Sequence, residues 1–247
     1  MTAGFNDSMP PAEAVSDLSD NNAAEAVYIV VPAYNEQEVI SEVVEGLLPH
    51  YSHIIVVNDG SSDATAERAA SAGAMVVNHS VNLGQGAALQ TGITYALELG
   101  AQYIITFDAD GQHQPEDAQK MLEQMRASCT EVALGTRFSD SLSNVPAMRH
   151  MLLRLAILYT RWSTGLDVSD THNGLRVFSK AAAEKLEIHQ NGMAHASEIL
   201  QFIADNDISY CEVPVSVHYT PYSVAKGQTN SASVRILADL FLEKFFK

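Results

Sequence analysis

The chain has 247 residues, 47% of them apolar and 18% charged, which is enough apolar material to bury a real core and is far from a disordered composition. Fourteen Lys and Arg against thirty Asp and Glu give a formal charge of -16, which argues against nucleic acid as a partner and weakens, without excluding, docking on an anionic lipid surface. Cys129 and Cys211 lie far apart and in no metal-type spacing, so neither a disulfide framework nor a zinc site is signalled and a reducing compartment fits.

Residues 1–26 are acidic and polar with Pro10 and Pro11 and no apolar periodicity, and they read as a flexible leader rather than a signal peptide. No run of about eighteen apolar residues is present to span a bilayer, so a cytoplasmic location is expected. Residues 27–230 read as one folded domain and 231–247 as an amphipathic helix. The domain opens on short β-branched runs alternating with helical stretches: a strand at Tyr28 to Val31, a helix near Glu36 to Leu48, and a strand at His53 to Val57. A helix near Asp63 to Ala72, a strand at Ala74 to Val77, a helix from Gly86 to Leu99 and a strand at Tyr103 to Phe107 continue the series. Strands apolar throughout belong to a parallel sheet covered on both faces, so the class is α/β, doubly wound and mostly parallel. The second half predicts helices over Pro115 to Arg126, Met148 to Trp162 and Ala196 to Ala204, and strands at Glu131 to Leu134, Leu175 to Phe178 and Ser209 to Val217. A last helix starts at Ser233.

Ligands of such sheets bind outside the carboxyl ends of the strands. The first strand ends in Pro32-Ala33-Tyr34-Asn35-Glu36 and the second in Asn58-Asp59-Gly60-Ser61-Ser62-Asp63, two turns of small polar residues that expose backbone N–H groups to an anion or a base edge. Helix capping explains Ser62 and Asp63 equally well. After the apolar run ending at Phe107 come Asp108-Ala109-Asp110-Gly111-Gln112-His113. Two carboxylates one residue apart can reach a single hard cation, Mg²⁺ or Mn²⁺, which keeps positions for water and phosphate. A plain solvated turn is the alternative. The segment Asn82-Leu83-Gly84-Gln85-Gly86-Ala87-Ala88, with Asp108 about twenty residues on, partly mimics a dinucleotide fingerprint. Leu89 at its sixth position and the second carboxylate at Asp110 speak against a dehydrogenase. A sugar nucleotidyltransferase would carry a Gly-rich basic loop after the first strand, where this chain has Pro32 to Glu36. Arg137, Arg176 and Lys226 stand out in a chain so short of cations; guanidinium groups fit phosphate oxygens, and Lys226 lies on a Gly- and Ser-bearing loop that can act as a lid. Surface charge is the alternative for each. His113, His172 and His195 show no metal spacing.

The ordered combination PAYNE, NDGSSD, NLGQGAALQTGI, DADGQH, GTRF and DTHNGLRVF resembles the inverting family 2 glycosyltransferases of the A-type nucleotide-sugar fold, and within them the dolichyl-phosphate mannose synthase and polyprenyl-phosphate branch. The likeness runs from Tyr28 to Gln228. It implies that residues 27–230 are a catalytic domain, with Pro32, Ala33, Tyr34, Glu36 and Asp59 lining a base and ribose pocket and Gly84, Gly86 and Ala87 close by. It implies that Asp108, Ala109 and Asp110 form the nucleotide-sugar and metal turn, with Asp110 and Gln112 the more direct ligands. Arg137, Arg176 and Lys226 would face donor or acceptor phosphates. The implied partners are a nucleotide-diphosphate sugar and an acceptor, either a polyprenyl phosphate or a saccharide hydroxyl; the hydroxyl would need a base, for which Glu198 matches the region. A structural first-turn acid is an equal reading of Glu198. The branch often has Ser-Gly-Phe at Asn173-Gly174-Leu175 and a different sequence around Tyr222 to Gly227. Met151, Leu152, Leu155, Leu158, Tyr159 and Trp162, with three nearby Arg, suit peripheral contact with the inner face of a membrane. The helix from Ser233 suits the same contact, the core, or a dimer interface equally.

Overall fold

A computed structural model describes residues 26–137, 157–158, 160–171, 173–192, 194–218 and 222. The leader, the loop around Lys226, the C-terminal helix and most of Met148 to Trp162 lie outside these residues.

Seven strands form one sheet: β1 (Val27–Ala33), β2 (His53–Asn58), β3 (Met75–Asn78), β4 (Tyr103–Thr106), β5 (Val132–Arg137), β6 (Arg176–Ser179) and β7 (Tyr210–Val215), in the order β3-β2-β1-β4-β6-β5-β7. Because β1 sends the chain to β2 on one side and pairs with β4 on the other, a crevice opens at its carboxyl end, where the strand order reverses. The alternating pleat of β1 shows why both faces had to be apolar. Ile29 and Val31 pack with α1 (Ile40–Leu47), whereas Tyr28 and Val30 pack on the opposite face, and all four are buried. The first face is closed by α1 and α4 (Pro115–Ser128), and the second by α3 (Gln85–Glu98), α5 (Lys180–Lys185) and α6 (His195–Asp205). The short α2 (Thr65–Ser71) adds Ala69 to the first core.

Two features depart from the sequence expectation. The strand expected at Leu175 to Phe178 is β6, and it runs antiparallel to both neighbours, with Ile104 opposite Phe178 and Leu134 opposite Arg176. Residue pattern reports that a strand is buried on both faces and carries nothing about its direction. The helix α5 was not expected; its signal is Ser179, whose hydroxyl caps the Ala182 N–H at 3.2 Å ahead of three alanines.

The end of α4 offers a stability test. Cys129 ends the helix in the left-handed region (φ 53, ψ 39) and is exposed, a conformation that favours glycine. Cys129→Gly should raise stability by about 0.5–1 kcal/mol, the cost a side chain adds there, read as a higher urea midpoint at unchanged slope. A lower midpoint would show that the thiol makes a contact worth more than the strain.

Candidate active site

The crevice beside β1 is walled by turns that bind one another. Asn35, itself at positive φ, donates its N–H to the hydroxyl oxygen of Ser61 at 2.9 Å, and its side-chain oxygen accepts the Ser62 N–H at 2.9 Å. The Glu36 N–H donates to Thr65 Oγ1 at 2.8 Å, so the turns after β1 and β2 form one wall. Pro32 and Ala33 are buried, whereas the ring of Tyr34 stands 46% exposed at the rim. Tyr222, within the segment expected to act as a lid, donates its hydroxyl to Glu36 Oε2 at 2.7 Å. Lys226 lies outside the described residues.

Asp59 is buried, and its oxygens accept the N–H groups of Leu83 at 2.9 Å and Gly84 at 2.7 Å while sharing a 2.8 Å hydrogen bond with His79 Nδ1. His79 Nε2 in turn meets Thr91 Oγ1 at 3.0 Å. The carboxylate therefore fixes the start of the Gly84 to Ala87 loop. That loop is pressed on the segment before α6: Gly86 N–H donates to Asn191 O at 2.9 Å. A Cβ on Gly84 would lie 2.8 Å from the Asn191 carbonyl carbon, and one on Gly86 would lie 3.1 Å from that of Gln190. These contacts, not dinucleotide binding, explain the glycines.

At the end of β4 the two carboxylates differ. Asp108 accepts Gln85 Nε2 at 3.1 Å on one oxygen and meets His113 Nε2 at 3.1 Å on the other. Burial works against its charge, yet the His113 hydrogen bond and the Arg176 guanidinium hold its carboxyl below the ordinary range. Asp110 accepts only the Gln112 N–H, at 3.1 Å. Burial, and then the neighbouring Asp108 charge, push its carboxyl above the ordinary range. Ala109 between them is buried. The donors on offer there, carboxylate oxygens and the half-buried Gln112 amide, are hard ligands. No cluster of three His, Cys, Asp or Glu side chains occurs among the described residues. The residues thus fit Mg²⁺ or Mn²⁺, with Asp110 the more available ligand.

Behind the pair lie buried cations and imidazoles. Arg176 is buried, its pKa brought down to about 10 by burial against the opposing pull of Asp108 and Asp170, and its Nη1 has no hydrogen-bond partner among the described residues. Arg137 is half-buried and clamps Asp170, Nε to Oδ2 at 2.9 Å and backbone N–H to Oδ2 at 3.3 Å. His195 is buried and neutral, its pKa pushed down to about 4 by burial and by Arg176. Glu198 faces a loop: its carboxylate accepts the N–H groups of His189 at 3.0 Å and Gln190 at 2.8 Å. These hydrogen bonds tie Glu198 to the loop before α6. Gln85, His79, His113, His195 and Asp170 stand beside the expected residues; Gln85, His113 and Asp170 fall within the motifs read from the sequence, whereas His79 and His195 are brought in from other elements.

The sequence profile described as "Glycosyl transferase family 2" matches residues 28–187. The chain belongs to this family. It is 32% identical over 247 residues to the UDP-N-acetylglucosamine–dolichyl-phosphate N-acetylglucosaminyltransferase of Methanococcus voltae, covering 91% of this chain and 98% of that protein. It is 29% identical to the polyprenol monophosphomannose synthase of Mycolicibacterium smegmatis, over 84% of this chain and 82% of the relative. The fold is that of A-type glycosyltransferases: glucosyl-3-phosphoglycerate synthase of Mycobacterium tuberculosis, solved with Mn²⁺ and uridine diphosphate, superposes with a TM-score of 0.63 at 19% identity over 95% of this chain and 85% of that one. Membership of family 2 removes the dehydrogenase reading.

Proposed function

We propose that this family 2 glycosyltransferase moves a hexose from a nucleotide diphosphate to a polyprenyl phosphate, with inversion at the anomeric carbon and with a divalent cation at Asp110, Asp108 and Gln112. The observation that carries the reading is the unlike carboxylate pair at the end of β4, one oxygen of Asp110 being left without a partner among the described residues. A bound cation would offset the charge that builds on the departing diphosphate. The protein's own parts do the rest. The turns at Pro32 to Glu36 and at Asn58 to Asp63 wall the nucleotide crevice, Gln85 and His113 hold Asp108 in place, and Arg137 and Arg176 supply the positive charge for phosphate oxygens. On this reading an acceptor phosphate takes the place of the Asp170 carboxylate on Arg137.

A phosphate acceptor is already ionised and needs no strong base, in keeping with a Glu198 engaged by two backbone N–H groups. Relatives named for dolichyl and polyprenol phosphate support the same acceptor. No helix among the described residues is long and apolar enough to cross a membrane; Leu158 and Trp162, 61% and 73% exposed and one helical turn apart, are the residues we expect to meet the lipid surface that presents the acceptor. Arg161 is turned away from that role, its guanidinium bonded to Asp167 at 3.0 Å and to Val168 O at 2.9 Å.

The test is transfer of radiolabelled sugar from UDP- and GDP-sugars, with Mn²⁺, to short polyprenyl phosphates or to free saccharides. Glu198→Gln should keep activity within about threefold, while Glu198→Ala should lose about 1–2 kcal/mol of stability with its loop hydrogen bonds. Transfer to a saccharide hydroxyl that collapses in Glu198→Gln would instead establish the base and the saccharide acceptor.

A further inference from the structure

The space between the first turn of α3, the Asp108 carboxylate and the start of α6 contains a polar group for which the transfer step has no use. His195 is only 3% exposed. It sits against Gly86, where an added Cβ would approach its own Cβ to 3.0 Å, and within the fields of Arg176 and Asp108. Its Nδ1 lies 2.8 Å from the carbonyl oxygen of Gly192. A carbonyl can only accept, so Nδ1 carries the proton and the Nε2 lone pair is left as an acceptor. Nε2 has no hydrogen bond to any described residue. Nε2 is not among the sealed, unpartnered side-chain atoms of the described residues, so it opens on space where the O–H or N–H of a ligand can face it.

The neighbours narrow the choice of ligand. Arg176 Nη1 is a buried donor without a partner among the described residues, Asp108 is an acceptor, and His195 Nε2 is a second acceptor. A diphosphate offers acceptors alone; it would satisfy Arg176 and leave Nε2 unpaired. A hexose hydroxyl both donates and accepts, so a sugar is the ligand whose groups match this mixed set. We propose that His195 reads the transferred sugar, its Nε2 accepting a hydrogen bond from a hydroxyl or amide N–H of the hexose carried on the nucleotide diphosphate. The inference rests on the glycosyltransferase reading and adds to it a residue that selects the sugar without touching the nucleotide. A site of this kind discriminates strongly, because a sugar lacking the right group leaves buried polar atoms unpaired.

The experiment is calorimetry with Mn²⁺ on the full chain, titrating UDP, UDP-glucose, UDP-N-acetylglucosamine, GDP and GDP-mannose into wild type, His195→Leu and His195→Gln. For the preferred sugar nucleotide, the ratio of its Kd to that of its nucleotide diphosphate should rise about tenfold in His195→Leu, the effect of losing a buried hydrogen bond. It should stay within about threefold in His195→Gln, whose amide oxygen can replace Nε2. The Kd for the bare diphosphate should not move, and the preference between UDP-glucose and UDP-N-acetylglucosamine should narrow. Should His195→Leu not fold, His195→Asn withdraws the acceptor from the Nε2 position and reads the same ratio. An unchanged ratio overturns the proposal, as does a parallel loss of diphosphate affinity, which would make His195 a support for the Gly86 turn. A wild type that binds the diphosphates but no sugar nucleotide overturns it too, whereas failure to bind any of the five ligands removes the glycosyltransferase reading itself.

Discussion

Asp110→Asn should abolish Mn²⁺-dependent nucleotide binding and lower transfer by at least about a thousandfold, while the metal-free protein becomes slightly more stable. The loss follows from removing the carboxylate most available to the cation, which carries the stabilisation of the leaving group. The gain follows from the sign of its shift. The folded-state pKa of Asp110 is raised by burial and by Asp108, so its contribution to metal-free stability is present at acid pH and declines as pH rises through that raised value. Asparagine removes the penalty at neutral pH. The relieved repulsion should appear as a small increase in Tm. Scanning calorimetry at pH 7 with and without Mn²⁺ and UDP reads both effects. In the wild type, Mn²⁺ affinity should begin to fall on acidification above the ordinary carboxylate range, because protons compete first for Asp110; Asp108, held low by His113 and Arg176 against burial, gives way later. Equal metal-induced stabilisation in wild type and Asp110→Asn would refute the assignment of the site.

Gly174→Ala should damage the fold and the metal site together. A Cβ at this position would land on the Asp108 carboxylate, 2.6 Å from its Cγ. Neither side can yield cheaply. Asp108 is held by Gln85 and His113, and the Gly174 carbonyl accepts the Thr106 hydroxyl at 2.7 Å just ahead of β6. Overpacking of this kind costs about 2–4 kcal/mol, and the displaced carboxylate should weaken Mn²⁺ binding by about 10–100-fold. Urea denaturation and Mn²⁺ titration monitored by UDP binding measure the two losses. A variant with wild-type Mn²⁺ affinity would show that Asp108 need not stay where the structure has it.

Much of the framework was legible before any coordinates. The apolar runs at Tyr28 to Val31 and His53 to Val57 announce strands buried on both faces, and the turns after them, with Asp108 to His113, mark the crevice. Spacing along the chain suffices there, because a strand end and its following turn are local, and local chemistry of caps and glycines leaves a local signature.

What the tertiary structure decided is which way each carboxylate faces. From sequence, Asp108 and Asp110 pair as cation ligands, Asp59 is set at the base and ribose pocket, and Glu198 is a base or a structural acid; which protein groups each one engages is not legible there. Folding engages Asp59 with the amides of Leu83 and Gly84 and Glu198 with those of His189 and Gln190, and it leaves Asp110 the poorest in partners. It also brings His195 from α6 and Arg176 from a reversed strand behind Asp108. The sequence by itself determined the layer architecture and the position of the crevice, because burial on both faces and turn chemistry are written in neighbouring residues. Partners from 2 to 186 positions apart set the roles of the acids and imidazoles. Those roles depend on desolvation and on distances between elements, which no spacing along the chain encodes.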